Sequence, residues 1–340
     1  MGLLFSKPKP ARPATVPTDT IIPCHYWDAQ PIMRAYCMDL TFRFDDVLDT
    51  DKMRAALARL LEIGDWRKLG ARIRLNEAGK LEYHVPEKYD EKRPGFTFTI
   101  AKYDMSIKDH PLASRLPKMT DRPSLVGSTT EFSPLVRSAD APKKLEDWLY
   151  SDFPQLPIHV VSFNDATLLT VTFMHTLTDA MGNAVVSAFT FVPARRILEA
   201  PLSFVASQLR AALEQQRTRE QIQAYVAIHT RAVDKTGQVP LFGDAGMLLL
   251  SCTNWAKGRL FEIDFSSAVI APGLPLSQRA NKLGRASYIN VVPHKNRIPT
   301  RNSVSVVGKD AAGNFWTILS MRKEAWPKVD EYLRALSEDK

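Results

Sequence analysis

The sequence predicts an α/β fold in which helices flank mixed β-sheets. Residues 38–45 alternate between apolar and polar side chains, with Leu40, Phe42 and Phe44 on one side, as in a half-buried strand. After Asp49 as a helix cap, apolar residues recur at helical spacing over residues 50–63 and predict an amphipathic helix. Strands and helices interleave along the rest of the chain, which favours α/β layers.

The N-terminal half continues with a hairpin and three strands. Two alternating runs, 71–75 and 80–85, flank the polar, glycine-bearing turn 76–79, which predicts the hairpin. Proline-dotted residues 111–142 predict mostly connecting loops. The other strands are predicted at residues 96–100, 158–163 and 167–173.

The C-terminal half predicts two helices, then more strands. Residues 183–191 are strand-like, residues 201–214 are helical, and Thr218-Arg219-Glu220-Gln221 is a capping box that opens a second helix. The next strands are predicted at residues 247–253, 260–265, 286–292, 303–307 and 314–321. Residues 309–313 predict a turn between the last two strands, and a closing helix carries Trp326, Val329, Leu333 and Leu336.

Composition is that of a globular protein with room for two domains: 340 residues, 45% hydrophobic and 24% charged. The net charge of +8 indicates either mild attraction for anionic ligands or a solvated basic surface. The basic residues of the chain are not interleaved with aromatic residues as on a nucleic-acid-binding surface, so no nucleic-acid partner is expected. Three scattered cysteines fit neither a disulfide framework nor a zinc cluster and favour a reducing, cytoplasmic compartment.

The N-terminus predicts a flexible leader over residues 1–19, rich in Pro, Lys and Arg. No apolar run is long enough to cross a bilayer, so no membrane span is expected. Residues 1–6 match the N-myristoylation pattern at Gly2, although chance matches to this pattern are common. A single acyl chain at Gly2 would be only a weak lipid anchor.

His175 and Asp179 lie in the most informative stretch of the chain. The apolar run from Leu168 to Phe173 delivers His175 at a strand end, and the residues up to Gly182 suit a turn or helix start. A side chain placed there can face a cavity, and a neutral imidazole can accept a proton near pH 7. With seven histidines in the chain, a His-x-x-x-Asp spacing also arises by chance, so its setting must support the assignment.

A second stretch comprises residues 251–255, Ser-Cys-Thr-Asn-Trp, and residues 260–266, Leu-Phe-Glu-Ile-Asp-Phe-Ser. Together with His175 and Asp179 it resembles the BAHD-type CoA-dependent acyltransferases, especially the branch of fungal natural-product pathways. That family carries His-x-x-x-Asp after a buried strand, then Thr-Ser/Asn-Trp, then Asp-Phe-Gly-Trp-Gly. Ser266 and Ser267 replace the Gly-Trp here, and the resemblance spans most of residues 20–336.

The resemblance implies two chloramphenicol-acetyltransferase-like domains of mixed sheets with flanking helices, residues 20–182 and 183–340, with a channel between them. It implies a monomeric enzyme that moves an acyl group from acyl-CoA, expected to be acetyl-CoA, to a hydroxyl of a secondary metabolite. The acceptor would be a small-molecule alcohol or amine. No metal and no permanently bound cofactor are expected.

The same resemblance suggests roles for individual residues. His175 would be the general base, and Asp179 would shape the site through an ion pair. Thr253 and Trp255 would donate hydrogen bonds to the oxyanion or substrate, although Trp255 could equally serve core packing. Asn254 and Asp264 are candidate substrate-binding residues, and for Asp264 a structural salt bridge is the favoured role.

The chain departs from the family pattern after the histidine motif. Gly182-Asn183-Ala184-Val185 follows Asp179 at once, whereas the family places this strand far downstream, in its second domain. We therefore infer that a block is absent between Met181 and Asn183, which shortens the second domain and should weaken acyl transfer. The arginine that usually pairs with the motif aspartate belongs to that block, and Arg195 or Arg196 could substitute for it.

Two other functions are weighed against an acyltransferase. A catalytically impaired remnant or non-catalytic interaction protein of the same fold would retain residues 20–181. A metal hydrolase is disfavoured, because no third ligand lies near His175 and Asp179 at suitable spacing. The sequence also lacks a glycine-flanked serine nucleophile and a phosphate-binding glycine loop.

Overall fold

The computed structural model describes residues 11–179, 186–295 and 301–338. Strands and helices interleave along these ranges, so the predicted mixed α/β class is confirmed. The strands are β1 Thr20–Pro23, β2 Tyr36–Phe44, β3 Asp46–Leu48, β4 Arg72–Leu75, β5 Leu81–Val85, β6 Thr97–Lys102, β7 Pro157–Ser162, β8 Thr167–Met174, β9 Ser251–Asn254, β10 Val269–Pro272, β11 Ala286–Lys295, β12 Ser303–Lys309 and β13 Phe315–Ser320. The helices are α1 Pro31–Arg34, α2 Thr50–Leu60, α3 Ser133–Val136, α4 Leu145–Leu149, α5 Thr176–Asp179, α6 Ala194–Glu199, α7 Leu202–Gln216, α8 Arg219–Thr236 and α9 Trp326–Glu338.

The five-stranded sheet has the order β11-β2-β8-β7-β6. Strands β6 and β7 run parallel, and the other neighbours run antiparallel. One face of β2 contributes Met38, Phe42 and Phe44 to the largest apolar core, which α2 joins through Met53. The face of β2 that was predicted to be apolar packs into this core. Because that face is buried, the register between β2 and β8 is fixed.

Three smaller sheets accompany this one. Strands β1, β5 and β4 form an antiparallel sheet that contains the predicted hairpin, and β3 pairs with β10. Strands β13, β12 and β9 form the last sheet, in which β9 runs parallel to β12. In the β12–β13 turn, the Gly313 amide donates to the Asp310 carbonyl at 3.1 Å, as predicted for a turn at 309–313.

Helix boundaries follow the predicted caps. Asp49 caps α2, because its Oδ1 accepts from the amides of Asp51 and Lys52 at 3.0 and 2.9 Å. The Thr218 side chain accepts from the Gln221 amide at the start of α8, which confirms the predicted helix start.

Two predicted strands are wrong. Residues 186–191 carry no strand, and residues 183–185 lie outside the described ranges. Residues 260–265 form a short 3₁₀ turn at 260–262 instead of a strand. Arg259 has a φ of 50°, and this left-handed residue breaks the extended conformation, so that the apolar run folds inward with Phe261 buried.

The second face of β2 is also buried, contrary to the predicted half-buried strand. Asp39 is fully inaccessible to solvent, and Thr41 is almost so. Arg137, which follows α3, covers this face and donates to Asp39 Oδ1. The apolar-polar alternation predicted the direction of each side chain correctly, but it could not show that a second layer covers the polar side.

The chain forms two compact units, one of residues 1–181 with 250–340 and one of residues 182–249. Strand β11 explains why the C-terminal segment groups with the N-terminal one, since it pairs with β2 along Ala286–Lys295. This grouping differs from a division of the chain at residue 182. The predicted domain boundaries, 20–182 and 183–340, stay a prediction.

The unit of residues 182–249 has almost no core. Among its described residues, 186–249, only Ala212 and His229 are buried. Large apolar side chains are exposed there, including Leu198 at 87% and Leu202 at 82%. Low contact density of this kind gives low local stability.

Brief trypsin digestion should therefore cut first within residues 186–249. Arg217 directly follows α7 and Arg219 is the first residue of α8, and both are exposed to trypsin. Residues 250–340 should resist digestion together with residues 11–179, because β11 is paired with β2. Mass spectrometry of early fragments checks this order, and equally fast cleavage after Arg43 of β2 or Arg74 of β4 would contradict it.

Candidate active site

His175 lies directly after β8, where this strand leaves the five-stranded sheet. Met174 is paired with Cys37 of β2, and the His175 amide donates to the Tyr36 carbonyl at 2.9 Å. The Tyr36 and His175 rings meet edge to face, with centroids 6.3 Å apart. The pairing of β8 with β2 therefore fixes the position of the His175 main chain.

The imidazole of His175 is partly buried, and this burial lowers its pKa below the ordinary value of 6.5. A hydrogen bond to its own main chain opposes the shift but does not reverse it. The side chain is therefore neutral near pH 7, the state in which an imidazole accepts a proton.

Asp179 is the last residue of α5, and its side chain lies outside the described part of the structure. Its predicted ion pair therefore stays a prediction. The two arginines suggested as partners have neighbours of their own on α6 and α7. Arg195 pairs with Glu199 at 2.6 Å, and the Arg196 guanidinium lies 5.0 Å from the Phe204 ring centroid.

Thr253 and Asn254 end β9, and Trp255 follows them. The Trp255 amide donates to the Val306 carbonyl of β12 at 2.8 Å, and its indole N–H donates to Thr253 Oγ1 at 3.2 Å. Asn254 Oδ1 accepts from the Ala256 amide at 2.9 Å. Because the indole uses the Thr253 oxygen as acceptor, the threonine hydroxyl keeps its own proton to donate elsewhere.

Asp264 forms the predicted salt bridge. Its Oδ2 accepts from Arg285 at 3.0 Å, and its Oδ1 accepts from the Ser266 amide at 2.8 Å. The Ser266 hydrogen bond lowers the pKa of the Asp264 carboxyl. Gly284 lies against this loop at a φ of +67°, and a Cβ there would come within 2.1 Å of the Ser266 nitrogen. Asp264 thus stabilises the loop, and a contact with substrate stays a prediction.

The two motifs lie on different sheets and border the same apolar core. Phe173, two residues before His175, packs against this core, and so does Trp255. The side-chain hydrogen bonds of Thr253 and Asn254 stay within residues 253–256. Core packing of Trp255 and hydrogen bonding by its indole therefore occur together.

Sequence reasoning missed Tyr36 and Tyr83, which bond to the main chain at His175 and Thr176. Tyr36 could have been found from its place at the start of the alternating strand. No signal in the sequence marks Tyr83, since its contact joins residues 93 positions apart.

The described residues contain neither a candidate metal-binding cluster nor a candidate membrane-spanning helix. Within residues 11–179, 186–295 and 301–338, no group of three His, Cys, Asp or Glu side chains could hold a metal ion. No helix in these same ranges is long and apolar enough to cross a membrane.

Comparison with known proteins gives relatives along the whole chain. Acetyltransferase adrJ of Penicillium roqueforti is 33% identical, over 98% of this chain and 99% of that protein. Acetyltransferase sphE of Aspergillus fumigatus is also 33% identical, over 100% and 99%. No protein-family profile matches the chain.

The fold resembles that of F. graminearum TRI101 complexed with ethyl coenzyme A. The TM-score is 0.57 at 13% identity, over 93% of this chain and 98% of that chain. At this identity the likeness concerns the fold alone, and it agrees with the predicted two-domain acyltransferase architecture.

The relatives are longer than this chain in the interior. The adrJ alignment runs over 491 positions, and 98% of 340 residues is about 333, so about 158 aligned positions have no residue here. The adrJ alignment thus contains positions that this chain lacks, and their place in one block after Met181 stays a prediction.

The two acetyltransferases, each above 30% identity over nearly the whole chain, establish the relationship. The chain belongs to the family of fungal acetyltransferases that includes adrJ and sphE.

Proposed function

We propose that the chain transfers an acetyl group from acetyl-CoA to a hydroxyl of a small secondary metabolite, with His175 as general base. The observation that carries this proposal is the partly buried imidazole of His175, which the pairing of β8 with β2 places directly after the strand, in a chain of this family. The names of adrJ and sphE favour acetyl as the transferred group.

The proposed reaction needs no covalent enzyme intermediate. The imidazole of His175 takes the proton of the acceptor hydroxyl, and the oxygen attacks the thioester carbonyl carbon. The tetrahedral oxyanion then collapses, the carbon–sulfur bond breaks, and the imidazolium returns its proton to the CoA thiolate. The products are the acetyl ester and free CoA.

Thr253 is the better candidate for donating to the oxyanion. The Trp255 indole already donates to Thr253 Oγ1, so the free donor of the pair is the threonine hydroxyl. An oxygen that accepts one hydrogen bond becomes a stronger donor in the next. Trp255 would then act through Thr253, and Asp179 would organise the turn after His175.

A second candidate is a catalytically impaired remnant of the family. The total of about 158 positions that the adrJ alignment has and this chain lacks favours it. The thin core of residues 186–249 points the same way. An impaired chain would keep the fold around His175 but would not support turnover.

The pH dependence of transfer tests the proposed role of His175. A general base works when it is deprotonated, so kcat/KM should fall as the pH drops through the pKa of the free enzyme's imidazole. Burial lowers this pKa, so the midpoint should lie below about 6.5, more acidic than for an exposed histidine. A kcat/KM profile from pH 5 to 9 checks it, and a midpoint above 7 would exclude this base.

A further inference from the structure

Tyr83 links a second sheet to the residue after His175. It lies on β5, in the β1-β5-β4 sheet, whereas His175 follows β8 of the five-stranded sheet. The Tyr83 hydroxyl donates to the Thr176 carbonyl at 2.8 Å, and the ring is 3% exposed. A hydrogen bond between two sheets therefore ends on the first residue of α5.

The Tyr83 hydroxyl is the donor in this hydrogen bond, because a main-chain carbonyl oxygen can only accept. Cys24 Sγ donates to the Tyr83 oxygen at 3.5 Å, which leaves the phenolic proton for Thr176. Burial raises the pKa of Tyr83, so the hydroxyl stays protonated across the working pH range. Tyr83 therefore donates to the Thr176 carbonyl throughout this pH range.

Three successive residues, Met174, His175 and Thr176, are held by contacts with other strands. Tyr83 shares an apolar cluster with Met174, whose strand position is fixed by Cys37. The His175 amide is held by the Tyr36 carbonyl, and the Thr176 carbonyl is held by Tyr83. The β2 pairing fixes the peptide before the imidazole, and Tyr83 fixes the Thr176–Leu177 peptide, the second one after it.

We infer that Tyr83 is a positioning residue for His175, acting through the hydrogen bond to the Thr176 carbonyl. The inference rests on the proposed function of His175. Tyr83 holds the turn that directly follows the base, so its loss should reduce kcat and leave the KM for acetyl-CoA unchanged. Small displacements of a reacting group are costly to the rate.

Tyr83→Phe removes the hydroxyl and keeps the ring. One neutral hydrogen bond corresponds to a decrease in kcat of roughly 3- to 10-fold. Tyr288→Phe is the matched control, because Tyr288 is also buried and its hydroxyl donates to Asn290 Oδ1 at 3.2 Å on β11. The control should keep kcat.

A second measurement does not depend on turnover. Diethyl pyrocarbonate modifies neutral, accessible imidazoles, and peptide mass spectrometry follows His175 with His159 as internal reference. In Tyr83→Phe the modification of His175 should speed up roughly threefold or more, since the loosened turn exposes the ring. His159, which pairs with Thr99 Oγ1 at 2.8 Å, should react as in the wild type.

All three proteins are compared well below their melting temperatures, so that global unfolding does not contribute. Unchanged His175 reactivity in Tyr83→Phe, or an equal change in Tyr288→Phe, would overturn the inference. If the wild-type chain transfers no acetyl group, the proposed function fails, and the reactivity of His175 still decides whether Tyr83 positions it.

Discussion

Replacing His175 with alanine is expected to lower acetyl transfer by roughly 10²- to 10⁴-fold, the usual contribution of a general base. The physical reason is that the acceptor hydroxyl then has no positioned group to take its proton. The fold should survive, because strand pairing through the main chain of Met174 and His175 does not need the imidazole. Steady-state turnover, with circular dichroism as the folding check, measures both effects.

His159 offers a matched control for this variant. It lies on β7, next to β8, and burial lowers its pKa as it does for His175. Its side chain is bonded to Thr99, and His159→Ala should therefore retain near-normal turnover. A His175→Ala protein with wild-type turnover would remove this residue from the mechanism.

Removing the carboxylate of Asp39 is expected to cause the largest loss of stability. Asp39 Oδ1 accepts from Thr172 Oγ1 at 2.6 Å, its Oδ2 accepts from His294 Nε2 at 2.6 Å, and Arg137 forms an ion pair with it. These partners join β8 and β11 to β2. Asp39→Ala would leave the Arg137 guanidinium buried without its counter-charge, which typically costs about 3–5 kcal/mol.

Urea denaturation at pH 7 measures this loss as a lower free energy of unfolding. Asp264→Ala is the control, because the Asp264–Arg285 pair is solvent-exposed and should change the urea midpoint little. A midpoint for Asp39→Ala equal to that of the control would show that the buried network does not stabilise the sheet.

Asp39→Ala should also change how the free energy of unfolding depends on pH in the acid range. Burial alone would raise the pKa of Asp39, but the hydrogen bond from His294 and the charge of Arg137 outweigh it and hold the pKa below its ordinary value. The resulting stabilisation is present above the unfolded pKa of about 3.9 and is lost as the pH falls through the folded value. Wild type should therefore lose more stability than Asp39→Ala below about pH 4.

Local pattern predicted the elements of the fold that depend on near neighbours. The alternation along β2, the Asp49 cap and the hairpin of β4 and β5 are each set by adjacent residues, and each is present. The run at 260–265 failed because one left-handed residue, Arg259, turned an apolar segment inward.

Burial by residues that are distant in the sequence could not be predicted from local sequence patterns. Asp39 looked like a solvent-facing residue until Arg137, 98 positions away, covered it. At the site, spacing identified His175 and Trp255, whose chemistry is visible in their residue types. Tyr83 stayed hidden, because a tyrosine at a sheet position indicates packing and gives no sign of a hydrogen bond to another sheet.

Acetyl transfer by this chain with His175 as base requires that acetyl-CoA release its thiol when an alcohol accepts the acetyl group. Release of CoA thiol from acetyl-CoA, followed with a thiol reagent in the presence and absence of a panel of small-molecule alcohols, tests it most directly. The wild-type chain should release CoA faster with at least one alcohol than without, and His175→Ala should lose this increment. Equal release by both proteins, or no alcohol-dependent release by a folded wild-type chain, would contradict the account.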